Sequence, residues 1–256
     1  MKISVNIKGV SYCAKLSSPI DISITTNQDS SSVAWFVPRM KVEPVISNRF
    51  IGSVEKGGDV NFRNLFFNPH GNCTHTESVG HISNQVYSVH NSLDRFHFLA
   101  ELITITPIIL KEDVSKWMKK GDAVITLDQL KGVIGKDAEA LIIRTTPNSD
   151  KKKSQNYNNS NWPYLTPEAA TYIREMNIYH LLIDLPSIDK EEDGGLLVAH
   201  RAYWNYPKEV DLKRTITEMI YVPDHVKDGF YLLNLVLANI DNDASPSRPV
   251  LYNLSK

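Results

Sequence analysis

Cysteine is scarce in this 256-residue chain, which contains only Cys13 and Cys73 and no Cys-x-x-Cys pair. Two cysteines do not make a disulfide framework in a chain of this length. The zinc deaminase pattern also fails, because it requires cysteine ligands that are missing here. The cysteine content therefore argues against a disulfide-rich protein.

An excess of charge of either sign is missing as well. The 28 Lys and Arg residues nearly balance the 29 Asp and Glu residues, so no electrostatic footprint favours a nucleic-acid partner. The one basic run, Lys151–Lys153, lies among Asn, Ser and Gln, and we predict that it forms a solvated loop.

Long apolar runs are also absent. No stretch reaches the length of a membrane span. The N-terminal stretch "MKISVNIKGVSYCAKL" alternates like a strand and lacks the apolar core of a signal peptide. We therefore expect a soluble, cytoplasmic protein that has no membrane partner.

Several common catalytic motifs are not present. The sequence has no GxSxG nucleophile elbow, no Walker A lysine loop, no GxGxxG turn and no HExxH pair. A serine hydrolase, a P-loop NTPase, a Rossmann dehydrogenase and an HExxH metalloprotease therefore have no positive support.

What the chain does have is an apolar content of 42%, enough for one large core or two modest ones. We find no internal repeat and no convincing linker, so we predict one domain over residues 1–256. A buried strand at 138–146, a helix from Thr166 to about Asn177 and a buried strand at 179–185 follow one another. This order predicts an α/β fold with a mixed β-sheet and flanking helices.

Further elements are predicted along the rest of the chain. Alternating or β-branched patterns predict strands or extended segments at 2–8, 20–25, 31–38, 101–110, 229–240 and 248–254. Short helices are predicted within 125–137 and 194–205. The polar segment 147–165 is predicted to be a long loop, either a lid or binding loop or a disordered stretch.

A cluster of possible metal ligands lies in "NPHGNCTHTESVGHI", where His70, His75, Glu77 and His81 fall within twelve residues. Residues two apart on a strand point to the same face, so His75 and Glu77 can address one ion. Imidazole and carboxylate together suit zinc, manganese or iron better than calcium. Cys73 is either an additional ligand or simply buried, and the alternative for the whole cluster is an ordinary polar loop.

The same stretch resembles the His-x-Gly-Thr-His-x-Asp-x-Pro-x-His signature of the putative cyclase family, which includes bacterial kynurenine formamidase and isatin hydrolase. Later segments resemble that family as well: "ALIIRTT", "LTPEAATYIREMNIYHLLIDLPSID", "AHRAYW", "TITEMIYVPDH" and "DASPSRPVLY". The likeness is strongest from about residue 65 to the end and weak over the first sixty residues.

This resemblance implies a metal-dependent hydrolase with a swivelling β/β/α-like fold, one or two divalent ions (Zn or Mn) per subunit and assembly as a homo-oligomer. The positions that match the family's metal ligands are His70, His75, Glu77 and His81, of which His81 matches the histidine that faces the second ion. His200 and Glu218 match the distal His and Glu, which serve in proton transfer or in binding the second ion.

The chain departs from the family signature at two points. It has His-x4-His where the family has His-x3-His, and it has Glu77 where the family has Asp. We expect the extra residue to require a bulge, and the longer acid to reach back to a displaced ion. The resemblance implies hydrolysis of an amide, lactam or lactone bond by metal-activated water, in a small molecule for which an aromatic one is a candidate. The alternatives are a metal-dependent lyase or lactonising cyclase, and a non-catalytic metal-binding protein.

Two aspartates follow the buried strand at 179–185. Asp184 and Asp189 lie at a strand end, where α/β proteins place function, but their residue types are equally typical of turns. We favour the turn interpretation, in which Asp and Ser side chains hydrogen-bond local backbone groups.

Aromatic residues near these motifs are candidates for lining a substrate pocket. They are Phe66, Phe67, Tyr157, Trp162 and Trp204. Most such residues belong to the core of a protein, and we favour Phe66 and Phe67 because they lie just before His70.

Overall fold

The computed structural model describes residues 1–7 and 9–255 and has an α/β fold built on one large mixed β-sheet. The strands in these ranges are β1 (Lys2–Ile7), β2 (Val10–Lys15), β3 (Ile20–Asp21), β4 (Lys41–Pro44), β5 (Ile46–Ser47), β6 (Phe50–Ile51), β7 (Arg63–Phe66), β8 (His75–Glu77), β9 (His97–Ile105), β10 (Ile108–Ile109), β11 (Ala123–Ile125), β12 (Ala140–Thr145), β13 (Tyr164–Leu165), β14 (His180–Ile183), β15 (Thr215–Glu218), β16 (Gly229–Asn234), β17 (Ala244–Pro246) and β18 (Val250–Ser255). The helices are α1 (Pro69–Asn72), α2 (Leu127–Leu130), α3 (Pro167–Glu175) and α4 (Val198–Trp204). Short 3-10 turns cover Val79–His81, Val89–Asn91 and Asp150–Lys153.

The large sheet has the strand order β1-β2-β18-β16-β9-β12-β14-β15-β8-β17, and β3 pairs with β18. Strands β9, β12, β14 and β15 are parallel, whereas β8 is antiparallel to β15 and β17 is antiparallel to β8. The change of direction brings the start of β8 beside the end of β15. His75 therefore lies beside Glu218, which follows more than a hundred positions later in the chain.

The core lies on both faces of the central strands. Leu141 and Ile143 of β12 pack on one face with the apolar side chains of α3 and α4, whereas Ala140 and Ile142 pack on the other. Successive side chains of a strand point to opposite faces, so a strand covered on both sides reads as a continuous apolar run.

The central elements predicted from the sequence are confirmed. The strand predicted at 138–146 is β12 and that predicted at 179–185 is β14, and both are buried throughout. Helix α3 begins after Thr166, whose side-chain oxygen accepts a hydrogen bond from the backbone amide of Ala169. It ends at Glu175, close to the predicted stop.

The N-terminal predictions hold only in part. Strand β1 covers the predicted strand at 2–8 except for Lys8, which lies outside the described residues. The strand predicted at 20–25 is reduced to the two residues of β3. The strand predicted at 31–38 is wrong, because Trp35 adopts a φ of 59°, a left-handed conformation that an extended strand excludes.

The remaining predicted elements are present but shorter than predicted. Those that lie inside the predicted ranges are β10 within 101–110, α2 within 125–137, α4 within 194–205 and β16 within 229–240. Two strands overlap their predicted ranges but extend beyond them, since β9 begins at His97, before the predicted 101–110, and β18 ends at Ser255, one residue after the predicted 248–254.

The predicted loop at 147–165 is largely irregular, but it is packed against the rest of the molecule. Tyr157 and Trp162 are buried, and Lys152 places its Nζ 2.7 Å from Asp184 Oδ2. The solvated loop predicted for the basic run is therefore wrong at Lys152. Local composition does not reveal an ion-pair partner that lies at the end of a distant strand.

A separate part of the chain, residues 41–66, forms two small antiparallel sheets, β4 with β7 and β5 with β6. We call it the apolar arm, because many of its large apolar side chains are exposed: Ile46, Phe50, Ile51, Val54, Val60, Phe62, Leu65 and Phe66.

None of the helices within residues 1–7 and 9–255 combines the length and the apolar character that crossing a membrane requires.

Candidate metal centre

Five elements bring the predicted site residues together. His70 lies on α1, His75 and Glu77 lie on β8, and His81 ends the 3-10 turn that follows β8. The register between β8 and β15 pairs Glu218 with His75 and Ile216 with Glu77. His200 approaches from α4. Because His75 and Glu77 are two apart on one strand, their side chains share a face of the sheet, as predicted.

The extra residue between His70 and His75 is accommodated by a helical turn. Residues Pro69–Asn72 form α1, and Cys73 then returns to extended backbone before β8 begins. The bulge expected from the sequence is therefore wrong. A helical turn shortens the path between the two histidines, so His70 still lies beside Glu77.

Glu77 is the centre of the cluster and is completely buried. Its Oε2 lies 3.1 Å from His70 Nδ1, 3.9 Å from His75 Nε2 and 4.0 Å from His81 Nδ1. Its Oε1 lies 3.0 Å from His200 Nε2. Burial raises the pKa of this carboxyl, but the surrounding histidines outweigh burial and hold its pKa well below the usual range. The carboxylate is therefore ionised.

Two buried atoms in the cluster have no hydrogen-bond partner of acceptable geometry, His75 Nε2 and Glu77 Oε2. Buried polar atoms are nearly always satisfied, and a bound ion is one of the few explanations when they are not. Donor atoms of His70, Glu77 and His81 lie within 4.8 Å of one another, and so do those of His75, Glu77 and Glu218. The mixed imidazole and carboxylate donors fit a divalent metal ion, and Glu77 belongs to both groups.

Glu218 is held by the backbone of the loop after β14. Its Oε1 accepts a hydrogen bond from the Ile188 amide at 3.0 Å, and its Oε2 lies 3.5 Å from His75 Nε2. One oxygen is thus fixed by the protein, which leaves the other directed towards the metal-ligand cluster.

His200 is buried between two carboxylates. Its Nδ1 lies 2.5 Å from Asp189 Oδ2, and its Nε2 faces Glu77. Burial lowers the pKa of His200, but the hydrogen bonds to Asp189 and Glu77 outweigh it and raise the pKa well above the usual value. The imidazole therefore holds a proton between two anionic oxygens.

The turn role predicted for Asp189 is wrong. Its carboxylate accepts hydrogen bonds from the amides of Ala199 and His200, at the start of α4, besides contacting the His200 ring. Ser187 makes the local contact instead, since its Oγ accepts from the Asp189 amide. Asp184 also departs from the prediction, because its partners are Lys152 and Thr145.

Asp243 is a second residue that sequence reasoning missed. Its Oδ2 lies 2.9 Å from His70 Nε2 and 3.3 Å from His81 Nδ1. The hydrogen bonds from these two histidines lower the pKa of its carboxyl well below the usual value. The only sequence signal was that Asp243 opens the stretch "DASPSRPVLY", which resembles the closing segment of the cyclase family.

Cys73 stands apart from the donor groups. Its Sγ donates a long hydrogen bond, at 3.5 Å, to the carbonyl oxygen of Pro69. Burial raises the pKa of the thiol to about 12, which keeps it protonated. Of the two alternatives left open by the sequence, the geometry favours the buried residue.

The aromatic candidates divide into two sets. Tyr157, Trp162 and Trp204 are buried in the core. Phe66 and Phe67 are exposed by 52% and 36% and line a cavity of about 600 Å³ together with Val37, Pro38 and Met40. Two other lining residues are Asn68, which precedes α1, and Asn72, which is its last residue, so this wall lies next to the segment that carries His70.

This chain is similar to known enzymes over most of its length. Kynurenine formamidase from Bacillus anthracis is 28% identical over 238 residues, which cover 93% of this chain and 98% of that protein. The enzyme of the same name from Bacillus mycoides (strain KBAB4) is also 28% identical over 238 residues, with the same shares of each chain.

Solved structures show the same fold. A potential metal-dependent hydrolase with cyclase activity superposes with a TM-score of 0.67 at 15% identity, over 93% of this chain and 99% of that one. Isatin hydrolase A from Labrenzia aggregata gives a TM-score of 0.63 at 15% identity, over 92% and 93% of the two chains. These likenesses confirm the predicted α/β fold class. The family model described as "Putative cyclase" matches residues 20–190, and the chain therefore belongs to the putative cyclase family.

Proposed function

We propose that this protein is a metal-dependent hydrolase that cleaves an amide, lactam or lactone bond of a small aromatic molecule. The observation that carries the proposal is the buried Glu77, which is shared by two groups of metal-type donors and has an oxygen without a hydrogen bond. The kynurenine formamidases, similar along nearly their whole length, support an amide-type bond and an aromatic substrate.

In this proposal the metal ligands are His70, His75, Glu77 and His81. A divalent ion bound there would supply Lewis-acid activation of water and of the scissile carbonyl. The first three ligands are on α1 and β8, with histidine nitrogens 3.1 and 3.9 Å from Glu77 Oε2. Three protein ligands on one ion would leave it a coordination position for water. An open position is what separates a catalytic site from a closed structural one.

His200 and Glu218 are the proposed proton-transfer residues. The Asp189 carboxylate fixes the orientation of the His200 ring, so that Nε2 points at Glu77 Oε1 at 3.0 Å. The Ile188 amide holds one oxygen of Glu218 and leaves the other free to accept a proton. Both groups are buried, which excludes bulk water from the proton path and strengthens their interactions with a reacting group.

The identity and number of the metal ions, the oligomeric state, the number of domains and the location remain predictions. Zinc and manganese both suit the donor set, and one or two ions per subunit fit the two overlapping donor groups. The apolar arm supports a homo-oligomer, because Phe62 and Leu65 are exposed by 58% and 57% and large exposed apolar patches mark interaction surfaces. One domain over residues 1–256 and a cytoplasmic location are kept as proposed from the sequence.

The test measures metal content by elemental mass spectrometry in wild type, His75→Ala and the control His97→Ala. His97 is an exposed histidine on β9, outside the cluster. We expect one to two equivalents of zinc or manganese in wild type and in the control, and a loss in His75→Ala.

Activity is then measured on aryl formamides, aromatic lactams and lactones, with Glu218→Gln as a variant that keeps metal but loses turnover. Absence of metal from wild type, even after added zinc or manganese, contradicts the metal site. Bound metal without turnover of any of the three bond types contradicts the hydrolase.

A further inference from the structure

We propose that Asp243 is a positioning residue that fixes the ring orientation and the tautomer of His70 for metal binding. The inference rests on the proposed function and extends it to a residue outside the cyclase signature. The His70 ring lies between two carboxylates, with Nε2 at 2.9 Å from Asp243 Oδ2 and Nδ1 at 3.1 Å from Glu77 Oε2. Each ring nitrogen thus has its own acidic neighbour.

In this geometry the chemistry of imidazole favours one of the two neutral tautomers of His70. A neutral histidine carries one N–H donor and one lone pair, and a metal takes the lone pair. An ionised carboxylate only accepts hydrogen bonds, and both neighbours of the ring are carboxylates. Glu77 is itself a proposed metal ligand, so Asp243 is the neighbour that takes the ring hydrogen, which places it on Nε2 of His70. The lone pair is then on Nδ1, which faces Glu77 and the donor groups. Carboxylates in this position orient metal-ligating histidines and raise their basicity.

The fold holds Asp243 in place without help from its carboxylate. Strand β17 begins at the next residue, and Ala244 pairs with Glu77 of β8. The Asp243 carbonyl oxygen accepts a hydrogen bond from the Ser78 amide at 2.9 Å. Backbone pairing therefore positions residue 243, and replacement of the side chain is expected to leave the fold intact.

A second and longer contact of Asp243 shows which histidines of the cluster it faces. The same oxygen, Oδ2, lies 3.3 Å from His81 Nδ1, and the rings of His70 and His81 are 4.2 Å apart. Asp243 thus contacts the two most exposed histidines of the cluster. The buried His75 has a different partner, because its Nδ1 lies 3.0 Å from the Cys73 carbonyl oxygen.

The test compares zinc and manganese affinity by competition with a chelating dye in wild type, Asp243→Ala, Asp243→Asn and the control Asp241→Ala. The Asp241 side chain lies in the same loop, is 81% exposed and stays 3.8 Å from His90. We expect Asp243→Ala to bind metal about 10–100-fold more weakly, the usual cost of removing such a partner. The Asn amide oxygen still accepts from Nε2–H, so Asp243→Asn should recover much of the affinity, and the control should match wild type.

A double-mutant cycle shows whether the effect passes through His70. In a His70→Ala background, replacing Asp243 with Ala should change metal affinity by less than about threefold, because the ring that it orients is gone. Circular dichroism of each variant without metal checks the fold.

Three results overturn the inference while leaving the proposed function standing: unchanged affinity in Asp243→Ala, equal losses in the Ala and Asn variants, and a loss that persists without His70. Equal losses would make the carboxylate a direct ligand. Failure of wild type to bind either metal overturns the inference and the proposed function together.

Discussion

Two buried histidines at opposite ends of the sheet have opposite acid–base behaviour. His180 begins β14, where its Nδ1 lies 2.9 Å from Thr215 Oγ1 and its ring packs on Phe98. Burial, followed by the charge of Arg95, lowers its pKa to about 3. His200 is just as buried, yet its pKa is raised well above the usual value. Exposure to solvent therefore does not explain the difference.

The charges of the neighbouring side chains explain the difference between the two pKa values. Removing an imidazolium from water disfavours the charged form, and a hydroxyl partner does not compensate for that cost. At the other end, Asp189 and Glu77 place carboxylate oxygens at 2.5 and 3.0 Å from the two ring nitrogens of His200. Glu218 and Asp243 add further carboxylates. One end of the sheet therefore excludes positive charge, whereas the other attracts it, as a metal-binding site must.

The largest effect that separates the two ends is expected from Asp189→Asn. The Asn side chain keeps one oxygen that can accept a hydrogen bond from a backbone amide of α4, but it lacks the charge that orients and stabilises the His200 imidazolium. We expect kcat to fall about 10–100-fold with metal content unchanged. Steady-state kinetics on the metal-loaded enzyme measure the loss.

The matched control is Asp193→Asn. This carboxylate accepts amide hydrogen bonds from Gly195 and Leu197 in the loop before α4, with no histidine among the contacts described for it. Equal kinetic losses in both variants would show that the loop matters and that the charge on His200 does not.

A smaller effect is expected at the opposite end, in the pH dependence of stability. His180 has a folded pKa of about 3 and an unfolded pKa near 6.5, so the unfolded chain binds the proton first as the pH falls. Stability is therefore lost as the pH drops below about 6.5. At pH 5 the loss from this residue is about 2 kcal/mol relative to pH 7.

His180→Gln removes that titration and keeps a side chain able to hydrogen-bond Thr215. We expect the difference in unfolding free energy between wild type and variant to change by about 2 kcal/mol between pH 7 and pH 5. Urea unfolding in the presence of a chelator measures it, since the metal site is then empty in both proteins. A difference that does not change with pH would mean that His180 takes up its proton as readily in the folded protein as in the unfolded chain.

The comparison also shows which parts of the fold and of the site could be predicted from the sequence. Side chains two apart on a strand share a face, so His75 and Glu77 were predictable as a pair from local spacing. The strand at 138–146 and the helix after Thr166 were predictable for the same reason, because burial on both faces and helix capping leave local patterns. Each of these signals is contained within a few neighbouring residues.

The rest depended on contacts between distant segments. Asp243 reaches His70 only because β17 pairs with β8, and Asp189 reaches His200 only because α4 begins beside the loop after β14. Lys152 was misjudged for a similar reason, since its partner Asp184 belongs to another strand. Composition describes a residue's chain neighbours, whereas these roles are set by strand order and register.

The smallest effect is expected from Cys73, which lies between proposed metal ligands in sequence but outside both donor groups in space. Its buried thiol contacts the Pro69 carbonyl, and its pKa of about 12 keeps it from offering a thiolate near neutrality. Cys73→Ala should therefore change zinc affinity by less than about threefold, even though zinc favours thiolate ligands. A chelator competition measures the affinity. A loss comparable with that of His75→Ala would place sulfur among the ligands, and the carboxylate-rich end of the sheet would then bind its ion through a different donor set.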